Sequence, residues 1–143
     1  MKVRIKTPDG KPLFYESEWA AWFDFKCIED ITFQPWEFKL VETWTVVETP
    51  VWYVLQICPR SSTFKKHWLV QVNSIWIIDS DYRGNEDTIK FAYINMSNEV
   101  QFIEKWTRIW QGVILPFLKA EFEVVEDMWN NKNRGWFGST WVK

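Results

Sequence analysis

Apolar and polar residues alternate along this chain with a period of two, in short stretches. Tyr53, Leu55 and Ile57 fall on one side and Val54, Gln56 and Cys58 on the other, the repeat of a pleated strand with two distinct faces. Residues 38–42, 45–48, 89–95 and 108–114 are further short runs rich in β-branched or aromatic side chains, the composition of strands. Turn formers punctuate them at Pro8-Asp9-Gly10, Gln34-Pro35, Thr49-Pro50 and Arg83-Gly84-Asn85. Helical periodicity is nearly missing; Lys65-Lys66-His67 fits one short helical turn. Closely spaced strands with regular turns predict an all-β sandwich or barrel. From Met128 onward the residues turn polar, through Asn130-Asn131-Lys132-Asn133-Arg134-Gly135. The expected organisation is one barrel domain over 1–127 and a flexible C-terminal arm over 128–143, with no repeat and no second domain.

Length and charge narrow the possibilities. A chain of 143 residues can close a core of its own. A net charge of -2 gives no footprint for a nucleic-acid polymer, although a few local cations could still hold a small anion. Cys27 and Cys58 lie too far apart in sequence for a metal or redox spacing and read as buried free thiols. No stretch is apolar for long enough to span a bilayer, and residues 1–6 mix charge with apolar side chains. The expectation is a soluble cytoplasmic protein with no membrane partner.

Five short segments follow one another from Ala21 to the C-terminus: Ala21-Trp22-Phe23-Asp24-Phe25; Pro59-Arg60-Ser61-Ser62; Asn73-Ser74-Ile75-Trp76-Ile77-Ile78-Asp79-Ser80-Asp81-Tyr82-Arg83-Gly84; Thr107-Arg108-Ile109-Trp110-Gln111; and Arg134-Gly135-Trp136-Phe137-Gly138-Ser139-Thr140. In this order they resemble the five motifs of the trimeric deoxyuridine triphosphatase (dUTPase) family, in particular its phage and bacterial members. The Asp-Ser-Asp-Tyr-Arg-Gly run downstream of Pro-Arg-Ser-Ser is the most specific part.

The resemblance implies a distorted jelly-roll β-barrel, a homotrimer with exchanged C-terminal arms, and Mg²⁺-assisted hydrolysis of dUTP to dUMP and pyrophosphate. It makes Asp79 the base that activates a water for in-line attack on the α-phosphate, a task a partly desolvated carboxylate can perform. Asp24 would hold Mg²⁺ through coordinated water, in keeping with the preference of that ion for phosphate and water ligands. Tyr82 would pack on the deoxyribose, and Asn73 with the following backbone would read uracil. Arg60, Ser61, Ser62 and Gln111 would lie along the α-phosphate side. Arg134, Gly138, Ser139 and Thr140 would close on the outer phosphates, with Phe137 stacked over the base. His67 reads as structural. If phage-encoded, the protein would work in the cytoplasm of the host.

One departure stands out. The chain has 12 tryptophans and 5 glycines, where ordinary usage would give roughly ten glycines. At Trp22, Trp36, Trp44, Trp52, Trp68, Trp76, Trp106, Trp136 and Trp141 the family pattern usually has glycine. The substitutions predict backbone strain wherever φ > 0 is required, and they read as an altered or designed derivative of a working enzyme. Two alternatives follow: an impaired nucleotide-binding protein on the same fold, or a dCTP deaminase, which shares the fold and an Arg-Ser-Ser segment.

Overall fold

The computed structural model describes residues 1–128. Its twelve strands and single short helix are arranged in four small antiparallel sheets, so the all-β expectation holds. The largest sheet runs in the order β2 (Phe14–Tyr15), β3 (Phe23–Phe25), β12 (Trp110–Pro116), β7 (Tyr53–Pro59) and β9 (Trp76–Ile78). A second places β10 (Lys90–Asn95) between β5 (Phe38–Glu42) and β8 (Leu69–Gln71). Two ribbons complete the barrel: β1 (Arg4–Lys6) with β6 (Val46–Glu48), and β4 (Ile31–Phe33) with β11 (Gln101–Ile103). This is a distorted jelly-roll-like arrangement in which consecutive strands frequently change sheet.

The alternation read from β7 is realised: Leu55 and Ile57 are buried, while Val54, Gln56 and Cys58 are only partly so. Cys58 therefore departs from the buried thiol expected of it. Cys27 is fully buried, and its removal from water pushes the thiol up to about 12. The expected run at 108–114 is displaced two residues in the structure, because Arg108 and Ile109 still belong to the approach to β12. The helical turn read at residues 65–67 is α1 (Thr63–His67). Both sheets meet over a core in which Phe91 stacks on Trp110 with ring centroids 4.7 Å apart, and Phe25 meets Phe91 edge-on. Gly112, midway along β12, sits where an added Cβ would lie 3.0 to 3.1 Å from Phe25, Leu55 and Phe23.

Strands this short need abrupt reversals between them. Three of these place tryptophan third in a hydrogen-bonded four-residue turn. Glu37 N–H donates to the Gln34 carbonyl around Trp36, Tyr53 to Pro50 around Trp52, and Thr107 to Glu104 around Trp106. The φ values there are 59, 70 and 72°, in the range where a type II turn calls for glycine. Trp68 caps the C-terminus of α1 at φ 54°, its N–H donating to Phe64 O, at a position glycine usually fills. Trp44, between β5 and β6, has φ 54°. Each indole remains about half exposed, from 47% at Trp106 to 57% at Trp52.

The strain expected from the sequence is thus present at five of the nine positions; Trp22 and Trp76 do not have positive φ, and Trp136 and Trp141 lie outside the described residues. A side chain in the left-handed region costs about 1–2 kcal/mol, so the five together cost of order 5–10 kcal/mol against a typical total stability of about 5–15 kcal/mol. Replacing all five with glycine returns about 0.4–1 kcal/mol per site to the unfolded chain as entropy. Taken at the middle of both ranges the net gain is about 4 kcal/mol, which predicts a Tm higher by about 10 °C or more. Calorimetry on both chains tests this, and an unchanged Tm would rule the strain out.

Candidate functional site

Asp24 is the centre of the most constrained polar cluster. It lies on β3 between Phe23 and Phe25, both buried in the core, and its own exposure is 7%. Pairing with β12 sets it opposite Gln111, and β7 on the other side of β12 ends at Pro59, immediately before Arg60. Arg60 Nε reaches Asp24 Oδ1 at 3.1 Å and Arg108 reaches Oδ2 at 3.1 Å. Arg108 also donates to Glu16 at the surface. These carboxylates raise the Arg108 guanidinium above its ordinary value, the Glu16 hydrogen bond being the largest cause. A nearly buried carboxylate is tolerated because each oxygen faces a cation. Arg108 was part of the fourth motif in sequence, yet no role attached to it; only the three-dimensional pairing with Asp24 reveals one. Gln111 points its amide to Cys58 Sγ at 3.4 Å, across the β12–β7 ladder.

The connection from β7 into α1 carries Ser61, exposed, and Ser62, half-buried at the helix start and making no side-chain cap. Arg60 N–H donates to Ile109 O at 3.1 Å, tying this connection to the approach of β12. Arg60 and Ser61 line a concavity with Gln71, Ser74 and Ile75. His67, at the end of α1, is half-buried, and the loss of water holds its imidazole below its usual range, with Lys66 adding to the effect.

Residues 72–75 pass between the two larger sheets, since β8 pairs with β10 and β9 pairs with β7. The segment expected to read the base is thus a crossover turn whose flanking strands belong to different ladders. Asn73 and Ser74 take φ 64 and 61°, a conformation Asn tolerates better than most residues, and Gln71 Nε2 donates to Ser74 O at 2.6 Å. Trp76 folds its indole back, Nε1 donating to Val72 O at 2.9 Å.

Beyond β9 the chain turns at Asp79, with Tyr82 N–H donating to Asp79 O at 3.2 Å. Tyr82 is 39% exposed and its hydroxyl donates to Thr88 O at 3.1 Å, closing the 79–88 loop on itself. Gly84 N–H donates to Asp87 Oδ2. Asp79, Asp81, Tyr82 and Trp76 line a concavity of about 350 Å³. Asp79 itself is exposed. The structure thus brings Asp24, Arg60, Arg108 and Gln111 together on one strand set, and Asp79 with Tyr82 on another surface. Arg134, Phe137, Gly138, Ser139 and Thr140 lie outside the described residues. Among the described residues no group of three or more His, Cys, Asp or Glu could hold a metal ion, and no helix is long and apolar enough to cross a membrane.

Comparison with known proteins gives these surfaces a context. A family model described as dUTPase matches residues 10–141. The deoxyuridine 5'-triphosphate nucleotidohydrolase of Nautilia profundicola is 41% identical over 143 residues, covering 98% of this chain and 99% of that protein. The SPbeta prophage-derived enzyme of the same name from Bacillus subtilis is 34% identical, with both chains covered in full. Among solved structures, the dUTPase of Streptococcus mutans superposes with a TM-score of 0.75 at 30% identity, covering 82% of this chain and 98% of that one. The Staphylococcus bacteriophage 80alpha dUTPase with dUPNHPP gives a TM-score of 0.85 at 24% identity, covering 99% of each chain, and supports the fold alone.

The Asp24 cluster yields a stability prediction. Asp24→Asn leaves two guanidinium groups facing a neutral amide. Because both arginines are almost one-third exposed, the expected loss is discounted from that of a fully buried pair to about 2 kcal/mol. Glu16→Ala, at a side chain 62% exposed, should change stability by less than about 0.5 kcal/mol. Urea denaturation of both variants checks the ranking; equal losses would show that the burial of Asp24 contributes nothing.

Proposed function

Because the chain belongs to the dUTPase family, we propose that it hydrolyses dUTP to dUMP and pyrophosphate at sites shared between three copies, each formed by a barrel of residues 1–127 and closed by an arm of residues 128–143. The observation that carries this reading is the separation of the motif residues on one chain: Asp79 and Arg60 line different concavities. A general base works best when partly desolvated, and Asp79 in a single chain is exposed. A neighbouring copy would bring the Arg60–Ser61–Ser62–Gln111 surface against it and exclude water. Exposed apolar side chains on β5 and around β9, namely Phe38, Leu40, Ile75 and Ile77, supply surface for such packing.

In the assembled site Asp79 accepts the proton of the attacking water, which is aligned with the bond leaving toward the β-phosphate. Tyr82, held by its hydroxyl to Thr88 O, packs against the deoxyribose. Asn73 and the left-handed backbone around it offer polar groups to the uracil edge, and a base of the wrong donor pattern would leave them unsatisfied. Arg60, Ser61, Ser62 and Gln111 orient the α-phosphate, while Arg134, Gly138, Ser139 and Thr140 close on the outer phosphates and Phe137 covers the base. Both oxygens of Asp24 are engaged by arginine but retain lone pairs, which suits contact with Mg²⁺ through its waters and not direct ligation. Bound with the triphosphate, Mg²⁺ would neutralise phosphate charge. The reading places the enzyme in the cytoplasm, or in that of an infected host.

Reduced turnover is the second reading, favoured by one observation: Trp76 lines the same concavity as Asp79. Pyrophosphate release from dUTP, with dCTP, dTTP and UTP as controls, tests the assignment. Release should be confined to dUTP, and Asp79→Asn should lower kcat by about 100-fold or more. Ammonia release from dCTP would instead establish a deaminase. Binding of dUTP without release, restored to turnover by Trp76→Gly, would establish the impaired form.

A further inference from the structure

The five left-handed tryptophans share more than their backbone angle. Trp36, Trp52 and Trp106 occupy the same place in three separate hydrogen-bonded turns, Trp68 terminates a helix, and Trp44 joins two strands. These are unrelated local structures with a single requirement in common, φ > 0, which glycine meets without strain. Among the described residues, seven non-glycine residues have positive φ, and the other two are Asn73 and Ser74. Asparagine tolerates that region; a bulky aromatic is an outlier there. The indoles also perform no common packing task. Trp36 donates to Asn98, Trp106 lies under Lys105, Trp52 leans on Phe117 and Trp68 on Phe64, all on the half-exposed surface.

Independent mutations at glycine sites would scatter over small and turn-forming residues such as Asn, Asp, Ser and Ala. Replacement by one residue type, the largest, at site after site points to one event. The polar motif residues from Asp24 to Thr140 are untouched by it. The glycines that remain include Gly10, itself at φ 67°, and Gly112, where a Cβ would lie 3.0 to 3.1 Å from three core side chains. The chain therefore uses glycine where glycine is needed and, at equivalent turns, shows tryptophan.

We propose that Trp36, Trp44, Trp52, Trp68 and Trp106, together with Trp22, Trp76, Trp136 and Trp141, are glycines in the protein as its own cell makes it, because one codon in the gene, UGA, is decoded there as glycine. UGA shares its first two bases with UGG, the tryptophan codon, and is read as tryptophan in some variant codes. It shares its last two bases with the glycine codon GGA, so a single anticodon change in a glycine tRNA suffices to read it. One reassigned codon converts every such position at once and leaves glycines written with GGN codons as they are. The inference rests on backbone geometry and goes beyond the catalytic reading, which it does not require. It also replaces deliberate alteration of the chain as the origin of the tryptophans.

The test reads the gene and the protein from the source cell. The nucleotide sequence should show UGA at the nine positions, and mass spectrometry of the native protein should find glycine in the peptides covering residues 36, 44, 52, 68 and 106. UGG at those five positions, or tryptophan in those peptides, would overturn the proposal. Neither readout depends on activity, so a silent enzyme with glycine in its peptides would discard the catalytic reading and keep this one.

Discussion

A barrel assembled from strands of two to seven residues depends on how sharply the chain can reverse between them. There is little length in any one ladder to absorb a misdirected turn, and consecutive strands often leave for a different sheet. Positive φ at the reversals is therefore the condition on which the register of the sheets rests. Around Trp36 it sets the entry into β5, around Trp52 the entry into β7, and around Trp106 the approach to β12. The last two strands carry the ladder that holds the Asp24 cluster, so backbone conformation at two surface turns reaches the polar centre of the molecule.

That centre is organised by β12. Its seven residues pair with β7 along their whole length and with β3 over the first three. The strand thereby sets Gln111 opposite both Asp24 and Cys58, and its approach delivers Arg108 to the same carboxylate that Arg60 reaches from the end of β7. The apolar side of the sheet, with Phe25, Phe91 and Trp110 packed together, fixes these backbones from beneath. By contrast, the surface bearing Asp79 and Tyr82 is held by a loop that bonds mainly to itself. Within one chain the first group is pre-formed around a buried carboxylate, and the second is open.

Much of the architecture was legible in the chain because its causes are local. Period-two alternation in β7, turn formers at Gln34-Pro35 and Thr49-Pro50, and the short helix at Lys65-Lys66-His67 all follow from side-chain chemistry acting over a few residues. Arg108 and Ile109 have strand-like composition, yet β12 begins only at Trp110: the Ile109 carbonyl is shared among Arg60 N–H, Thr63 Oγ1 and the Tyr93 hydroxyl, and the Arg108 carbonyl accepts from the Arg60 side chain. The Arg108–Asp24 contact was invisible for a related reason: the partners are 84 residues apart and only strand pairing joins them. The motif order pointed to Asp79, Tyr82 and Asn73 as site residues, but not to the way the 72–75 segment crosses between sheets. The excess of tryptophan was plain from composition, whereas the particular turns it occupies needed backbone angles.

Gly112 has a consequence of another kind. With Phe23, Phe25 and Leu55 crowding the spot a Cβ would take, the distance at which these side chains pack against the middle strand of the β3–β12–β7 ladder is set by a missing side chain. It works as a spacer of minimum thickness. Any larger residue there would press on those rings from the backbone side and disturb the apolar face on which the strand carrying Asp24 rests, so the packing beneath the polar cluster depends on a residue with no side chain.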